Sequence, residues 1–347
     1  MAGWMKLEPG QHGARAWAAP LRLLVIAALV LAPAAAHAAA IKVGALLRAN
    51  IGPVFIAKEK GYFGAEGLAI EIVSFDAPQD VAAAVAAGTV DFGATATSAN
   101  FYALAGKGPL RIIGGLYGAA PGFHDLAIVA SDRAYDAGLR GLKNMAGHSV
   151  AGLARGSPLH YSLALLADKY GVDLQSMRLQ QLESTPDMLN ALLHNQADMA
   201  VIAGAAVSPA LQAGQVKLLG WVGDEIHWQP AITFATAKTI GERGNMVQAF
   251  LRAFRKGAHD YHDAFTGPGE KRQDGLATAE TLSIIGKYTH QPPDRVRLGI
   301  AYVDADARLN VGDILRQVAW FKAQKMLAED IDAKAVMAED YIIPLPE

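Results

Sequence analysis

The sequence predicts an α/β protein built from two compact lobes. Short apolar runs typical of buried strands alternate with segments whose apolar residues recur at helical spacing. The first unit is complete, because a strand at 41–47, a helix at 54–60 and a second strand at 68–75 follow one another. The chain has 347 residues, 52% of them hydrophobic, which is enough for two lobes with real cores.

The beginning of the chain differs from the rest. A strongly apolar stretch, 21–31, follows Arg15, and an A-x-A cleavage motif ends at Ala38. This pattern predicts a signal peptide over 1–38, and the alternative is an uncleaved anchor. We therefore expect an exported mature protein in the periplasm, not embedded in the membrane. The chain has no cysteine, which excludes disulfides and a lipid-attachment cysteine.

The composition argues against several other functions. The net charge of −2 and the lack of a basic cluster argue against nucleic acid as a partner. No nucleophile elbow, P-loop, zinc-protease or dinucleotide motif occurs, so we predict no catalytic residue and no cofactor. Asp304, Asp306 and Asp313 lack the Gly and Glu of a calcium loop, and we predict no metal site.

The segment 148–171 contains a strand, a tight turn and the start of a helix. The run 149–154 suits a buried strand, Ser157 is a preferred N-cap, and Pro158 suits the first helical position. Gly171 stands where a left-handed C-cap would end the helix. A helix start at the carboxyl end of a strand directs N–H groups into the crevice where open α/β sheets bind ligands. The alternative is that Ser157 only caps its helix.

Four turns of this kind recur, each after a predicted strand and before a predicted helix. Ser208 and Pro209, in the last of them, repeat the cap-plus-proline pair of Ser157 and Pro158. Several helix starts facing one cleft would bind a small anion through backbone amides and hydroxyls. The four are turn 1 (48–53), turn 2 (95–98), turn 3 (155–158) and turn 4 (204–209).

The remaining elements complete two lobes. We expect lobe 1 at 39–130, lobe 2 at 131–230, and a return to lobe 1 with C-terminal helices at 231–347. Further strands are predicted at 90–94, 110–117, 125–131, 178–182, 198–203, 217–222 and 231–236. Further helices are predicted at 80–87, 99–105, 186–194, 247–265, 277–288 and 311–324.

Several motifs resemble a known family. GYFGAEGL at 61–68, preceded by FIAKEK at 55–60, resembles the A-x-E-K-G-Y-F-x-x-E-G-L signature of periplasmic solute-binding proteins. These are the nitrate/sulfonate/taurine and thiamine-precursor (NMT1/THI5-like) binding proteins. Weaker similarities lie at 88–93, 142–147 and 156–161, and the resemblance extends from 41 to about 254.

The resemblance implies a type II periplasmic-binding-protein fold with two crossing strands between the lobes. It also implies a monomeric binding protein, not an enzyme, that closes on a small organic anion and delivers it to the transmembrane subunits of an ABC permease. Two alternatives stay open. One is an enzyme on the same fold, a thiamine-pyrimidine synthase or a chorismate-type dehydratase, which the absent cysteine and the export signal disfavour. The other is a subunit presenting its ligand to a membrane receptor.

By position, the family's pocket loops fall on the four turns. Arg48 and Arg155 are cations suited to a bidentate grip on a carboxylate or sulfonate, with surface positions as the alternative. Three small residues from Gly204 imply room for an aromatic or long-chain anion. Phe123, His124 and Trp228 would stack on it, or else pack in the hinge. The predicted ligand contacts are Arg48, Asn50, Thr97, Ser98, Phe123, His124, Arg155, Ser157, His160, Gly204 and Trp228.

Overall fold

The computed structural model describes residues 40–152, 154–182 and 184–346, so the predicted signal peptide lies outside the described residues. Ten strands form two five-stranded sheets, and two short strands form a hairpin. The strands are β1 (Ile41–Ala45), β2 (Ile70–Ser74), β3 (Phe92–Ala96), β4 (Leu110–Gly115), β5 (Leu126–Ser131), β6 (Ser149–Gly152), β7 (Arg178–Gln181), β8 (Met199–Ala203), β9 (Val216–Trp221), β10 (Ala231–Thr236), β11 (Thr266–Gly267) and β12 (Lys271–Arg272).

Fourteen helices are present in the described part of the chain, and most of them cover the sheets. They are α1 (Gly52–Glu59), α2 (Tyr62–Ala65), α3 (Pro78–Ala86), α4 (Ala99–Gly106), α5 (Asp132–Asp136), α6 (Pro158–Lys169), α7 (Thr185–Leu193), α8 (Gly204–Gln212), α9 (Val222–Glu225), α10 (Ala237–Glu242), α11 (Gly244–Phe265), α12 (Thr278–Thr289), α13 (Pro293–Arg297) and α14 (Val311–Ala323).

The two sheets have matching topologies. The first has the order β2-β1-β3-β10-β4 and the second β7-β6-β8-β5-β9. In each sheet one strand runs against the rest, β10 in the first and β5 in the second. The predicted α/β fold is confirmed, and each of the ten predicted strands is present within a few residues. Fully buried apolar runs such as β3 and β5 form these strands because both of their faces are covered.

Strand pairing places the four turns at two facing edges. β1 and β3 are parallel neighbours, with Ala45 opposite Ala94, so turns 1 and 2 leave the same edge of the first sheet. β6 and β8 are likewise neighbours, with Ala151 opposite Ala200, and turns 3 and 4 leave one edge of the second sheet. Each lobe therefore contributes two adjacent helix starts.

Two segments of the chain cross between the sheets, one from β4 to β5 and the other from β9 to β10. The backbone N–H of Ala119 donates to the carbonyl of Trp228 at 2.9 Å and joins the two segments. Because β5 pairs in the second sheet, the first crossing spans 116–125, before the expected lobe boundary at 130. The sequence of β5 shows a buried strand but not which sheet it joins. The second crossing ends at Ala231, where β10 begins.

Helix α14 packs on both lobes. Its Trp320 and Phe321 rings lie 5.3 Å and 5.9 Å from the ring of Tyr161 on α6. On the other lobe, Phe321 lies 5.9 Å from the ring of Tyr102 on α4. One apolar core therefore continues from lobe to lobe beside the crossing segments.

A buried polar network fixes the second crossing segment to the first lobe. The Gln317 amide donates to the carbonyl of Gln229 at 3.0 Å and to the carboxylate of Asp313 at 2.8 Å. Its Oε1 accepts from the hydroxyls of Thr97 at 2.7 Å and Tyr102 at 2.9 Å. Gln317 thus connects α14, turn 2, α4 and the crossing in one network.

Replacing Gln317→Leu should destabilise the protein strongly. The change leaves the buried hydroxyl of Tyr102 and the buried carbonyl of Gln229 without their partner, and each such loss costs about 1–3 kcal/mol. We expect the free energy of unfolding in urea to fall by about 3 kcal/mol or more. The matched control is Gln324→Leu, whose side chain makes no hydrogen bond to another described residue. Equal stabilities of the two variants would contradict the role assigned to the network.

Candidate ligand-binding site

Turn 1 begins α1 without a side-chain cap. A single 3-10 turn, Ala49–Ile51, precedes the helix, and neither start carries a capping hydrogen bond from a side chain. Arg48 is exposed, and Asn50 is partly buried beside the hydroxyl of Tyr117. No side-chain oxygen therefore caps this helix start, although the carbonyls of Arg48 and Ala49 accept from the N–H groups of Ile51 and Gly52. Arg48 adds a positive charge next to it.

Turn 2 is fixed by hydrogen bonds of its side chains within the protein. Ser98 caps α4 by accepting from the N–H of Phe101 at 3.1 Å. The hydroxyl of Thr97 donates to Gln317 at 2.7 Å and lies 3.2 Å from the carbonyl of Pro230. Thr97 therefore positions the turn, and its hydroxyl is occupied within the protein.

Turn 3 has the local structure that the sequence predicts. Ser157 caps α6 by accepting from the N–H of His160 at 3.3 Å, and Pro158 is the first helical residue. The Nδ1 atom of His160 accepts from the N–H of Gly156 at 3.2 Å. Burial, and then the nearby Arg155, lower the pKa of His160 to about 4, so this ring is neutral at pH 7. Its proton then lies on Nε2, while Arg155 stays exposed.

Turn 4 differs from its prediction. Helix α8 begins at Gly204, directly after β8, and Pro209 lies inside it. The prediction that Ser208 and Pro209 form a cap-plus-proline start is therefore wrong. The small residues 204–206 allow the helix to begin five residues earlier, close against other backbone. A Cβ on Gly204 would lie 2.4 Å from the carbonyl oxygen of His124 and 3.2 Å from that of Leu298.

The four turns meet in two pairs across the lobes. Turns 2 and 3 touch, because the N–H of Ala99 donates to the carbonyl of Gly156 at 2.9 Å. Gly156 has a φ of +82°, which favours glycine, and a Cβ there would lie 2.9 Å from that of Ala99. Turns 1 and 4 meet through the loop after α13, since Leu298 faces Gly204 and Gly299 faces Ala49. The four turns therefore lie where the two lobes contact each other, and we call this region the gap.

Two of the three predicted stacking residues pack within the hinge. Phe123 is fully buried, with its ring 5.6 Å from that of Tyr302, and Trp228 is 3% exposed against Tyr161. The third, His124, is exposed and stacks on Trp221 with ring centroids 4.5 Å apart. This stacked pair lies beside Gly204, since a Cβ there would be 3.1 Å from the Trp221 ring.

The sequence analysis missed three residues near the gap: Tyr117, Asp125 and Trp221. Tyr117 and Asp125 belong to the first crossing, and Trp221 ends β9. Asp125 is 7% exposed, and its Oδ1 has no hydrogen-bond partner in the described part of the chain. Burial raises the pKa of Asp125 to about 7, although the N–H groups of Asp125 and Leu126 oppose the rise. An acid directly before an apolar strand was the available sequence signal.

A separate cavity of about 420 Å³ lies along the crossing segments. Residues lining it include Trp228, Tyr302, Arg308 and Asn310. None of the four turns contributes to its lining, and Trp228 is the one predicted contact that does. We call this space the hinge cavity.

The described residues contain neither a metal-binding cluster nor a membrane-spanning helix. No group of three or more His, Asp or Glu side chains there is arranged to hold a metal ion. None of the helices in 40–152, 154–182 and 184–346 has the length and apolar character needed to cross a membrane.

Solved structures define the class of this fold. The periplasmic aliphatic sulphonate binding protein SsuA of Escherichia coli matches with a TM-score of 0.67 and 17% identity, over 87% of this chain and 98% of its own. The alkanesulfonate-binding SsuA of Xanthomonas axonopodis, bound to MOPS, matches with a TM-score of 0.65 and 17% identity, over 88% of this chain and 99% of its own. The nitrate-binding NrtA of Synechocystis matches with a TM-score of 0.66 and 13% identity, over 87% of this chain and 86% of its own. The chain has the two-lobed fold of periplasmic binding proteins.

The family follows from the sequence itself. Residues 48–266, more than half of the chain, match the family model described as NMT1/THI5 like. The chain belongs to this family, and the resemblance drawn from the GYFGAEGL segment is confirmed. No protein with a curated description matches the sequence.

The Gly204→Ala variant should be less stable than wild type, because the backbone packs closely at this position. The new methyl group would meet backbone carbonyl oxygens, which cannot rotate away, so we expect a loss of about 1–3 kcal/mol in urea unfolding. The control is Gly241→Ala on α10, where an added Cβ meets no atom within 4 Å. If both variants unfold at the same urea concentration, the close approach at Gly204 is not present in solution.

The Asp125→Asn variant should change how stability depends on pH. Folding raises the pKa of this carboxyl from 3.8 to about 7, so wild-type stability falls as pH rises between these values. The variant lacks this loss. The difference in melting temperature between the variant and wild type should therefore increase from pH 5 to pH 8. The increase should correspond to about 1 kcal/mol or more of unfolding free energy.

The exposed control Asp136→Asn should show no such trend. Any constant cost of a buried amide cancels in the comparison across pH. A difference in melting temperature that is flat with pH would contradict the raised pKa of Asp125.

Proposed function

We propose that this protein is a periplasmic solute-binding protein of an ABC importer and that it captures a small organic anion between its lobes. The observation that carries the proposal is that four helix starts, two from each lobe, lie where the lobes contact each other. The family supports a binding role, and the exported, monomeric state and the permease partner are part of the same proposal.

The gap suits an anion because helix starts present N–H groups and a partial positive charge. α1 and α8 each have eight or more residues and no side-chain cap at their start. α4 and α6 are capped by Ser98 and Ser157, and these hydroxyls are positioned at the same gap. Backbone donors of this kind are fixed by the sheets, so they lose little entropy when a ligand binds.

Arg48 and Arg155 supply the charge that backbone amides lack. Both are exposed, one on each lobe, and the structure shows no ion pair for either within its described part. A guanidinium pairs with a carboxylate or sulfonate through two parallel hydrogen bonds. A ligand touching both arginines would favour the closed form through its higher affinity for that form.

The solved relatives and the helix starts support the ligand class. SsuA of Escherichia coli is named for aliphatic sulphonates and NrtA for nitrate, both of them anions. We extend this class to sulfonates and carboxylates, with the stacked pair of His124 and Trp221 as the aromatic wall for ring-bearing members. In this proposal the pair takes the stacking role that was predicted for Phe123 and Trp228, because those two side chains pack within the hinge.

An enzymatic role has less support. The related fold of DszB, crystallised as a cysteine-to-serine mutant with biphenyl-2-sulfinic acid, matches with a TM-score of 0.59 and 11% identity. The present chain has no cysteine at all. His160 is neutral, and its Nδ1 accepts from backbone, so this nitrogen is not free to act as a base.

Isothermal calorimetry of the purified mature chain tests the proposal directly. The panel contains aliphatic and aromatic carboxylates and sulfonates, with neutral amides of the same shapes as controls. We expect at least one anion to bind with micromolar or tighter affinity and its amide to bind at least a hundredfold more weakly. Binding of no anion more tightly than millimolar would overturn the proposal.

Arg48→Gln and Arg155→Gln should each weaken binding of the tightest anion by tenfold or more. The loss corresponds to a charge-assisted hydrogen bond of about 1.5–3 kcal/mol. Arg140→Gln is the matched control, an exposed arginine near α5 and outside the four turns. If both gap variants retain wild-type affinity, the arginines are surface residues and the amides alone hold the anion.

A further inference from the structure

The hinge cavity is bordered by both crossing segments. Gly118 and Ala119 line it from the first crossing and Trp228 from the second, whereas none of the four turns contributes to the lining. Its volume of about 420 Å³ lies within the range of about 300–1,000 Å³ that is usual for small-molecule pockets. One water molecule takes up only about 30 Å³. The cavity therefore has room for a small organic molecule.

The loop of the β11–β12 hairpin forms the outer border of the cavity. Gly269, Glu270 and Lys271 contribute to the lining, and all three are exposed. The hydroxyl of Tyr302, another lining residue, donates to the Glu270 carboxylate at 2.8 Å and connects this loop to the cavity wall. The exposed border gives a ligand access from solvent that does not involve the four turns.

The acidic and basic side chains of the lining balance one another. The carboxylates are those of Glu270 and Asp304, and the cations are Lys271 and Arg308, two of each sign. Arg308 donates to the Asp304 carboxylate through Nε at 2.9 Å, and its Nη2 lies 2.8 Å from the same oxygen. An anionic ligand would have to compete with Asp304 for this guanidinium. The lining therefore favours an uncharged ligand.

Aromatic rings and one unused donor supply the remaining chemistry of the cavity. Tyr117, Trp228 and Tyr302 all contribute to the lining. Trp228 is 3% exposed, and its Nε1 is a buried donor with no hydrogen-bond partner among the described residues. Such a donor has lost its hydration without compensation, and a ligand oxygen that accepts from it would remove this cost. The lining therefore suits an aromatic molecule that carries a carbonyl or a similar acceptor.

We propose that the hinge cavity is a second binding site, for an uncharged aromatic molecule whose oxygen accepts a hydrogen bond from the Trp228 indole. This site is separate from the gap, and it does not depend on anion capture there. A bound molecule would contact the hinge itself, since Gly118 and Trp228 belong to different crossing segments.

Titration with acetophenone, followed by NMR of the indole N–H groups, tests this proposal. The full chain has five tryptophans, of which Trp4 and Trp17 belong to the predicted signal peptide, so the mature chain has three indole signals. The Trp228→Phe variant identifies the signal of Trp228. We expect acetophenone to bind wild type with a dissociation constant of about 1 mM or tighter. It should move the Trp228 indole proton downfield, as a new hydrogen bond does.

Variants separate the hydrogen bond from the shape of the cavity. Trp228→Phe should weaken binding of acetophenone by about fivefold or more, the size of one hydrogen bond, and binding of toluene, which has no acceptor, by less than about twofold. Trp320→Phe is the matched control, because Trp320 lies outside the lining, and it should bind both probes as wild type does.

A cavity-filling variant, Gly118→Leu, should abolish binding of both probes. A Cβ at this position would lie 3.4 Å from the carbonyl oxygen of Trp228 and 3.7 Å from the Tyr302 ring. These are ordinary contact distances, so the backbone accepts a side chain there, and the rest of the leucine occupies the space of the ligand.

Three results would overturn the proposal. The first is an unchanged Trp228 signal in wild type with about 10 mM acetophenone, roughly tenfold above the expected dissociation constant. The second is equal affinity of Trp228→Phe and Trp320→Phe for acetophenone. The third is competitive displacement of acetophenone by benzoate, which would mean that the cavity takes anions or belongs to the gap. Failure of acetophenone to bind would leave anion capture in the gap untouched.

Discussion

The architecture depends on one topological constraint, the presence of a single reversed strand in each sheet. β10 and β5 begin at the edge where their parallel neighbours end, so the chain can cross between lobes directly and without a long connection. The crossings therefore leave from the same edges as the helix starts. The hinge and the helix starts are adjacent for this reason, and a residue of the crossing such as Asp125 can lie against a helix start such as Gly204.

Local patterns predicted the elements well, and they predicted the spatial assembly less well. Buried strands were visible as apolar runs, and Ser98 and Ser157 cap their helices as side-chain chemistry requires. The sheet that β5 joins depends on long-range pairing, which no local pattern records. The start of α8 was misplaced because Ser208 and Pro209 imitate a cap, whereas the helix begins earlier at residues small enough for close backbone contact.

The same distinction between local and long-range structure applies to the site residues. Residues whose role is local, such as the caps, were identified from sequence, and their hydrogen bonds are present. Residues whose role depends on a distant partner were not. The hydroxyl of Thr97 binds Gln317, 220 positions away, and Phe123 packs on Tyr302. Asp125 was not identified from its one local signal, an acid directly before an apolar strand, because its environment is assembled from turn 1, α11 and the crossing.

A crystal structure with the tightest ligand of the calorimetry panel tests the central claim most directly. The account predicts the ligand between the lobes, with its acidic oxygens within hydrogen-bonding distance of backbone N–H groups from at least two of the four turns. It also predicts at least one such donor from each lobe. A ligand bound instead in the hinge cavity, or held by one lobe with its acidic group facing solvent, would contradict the account.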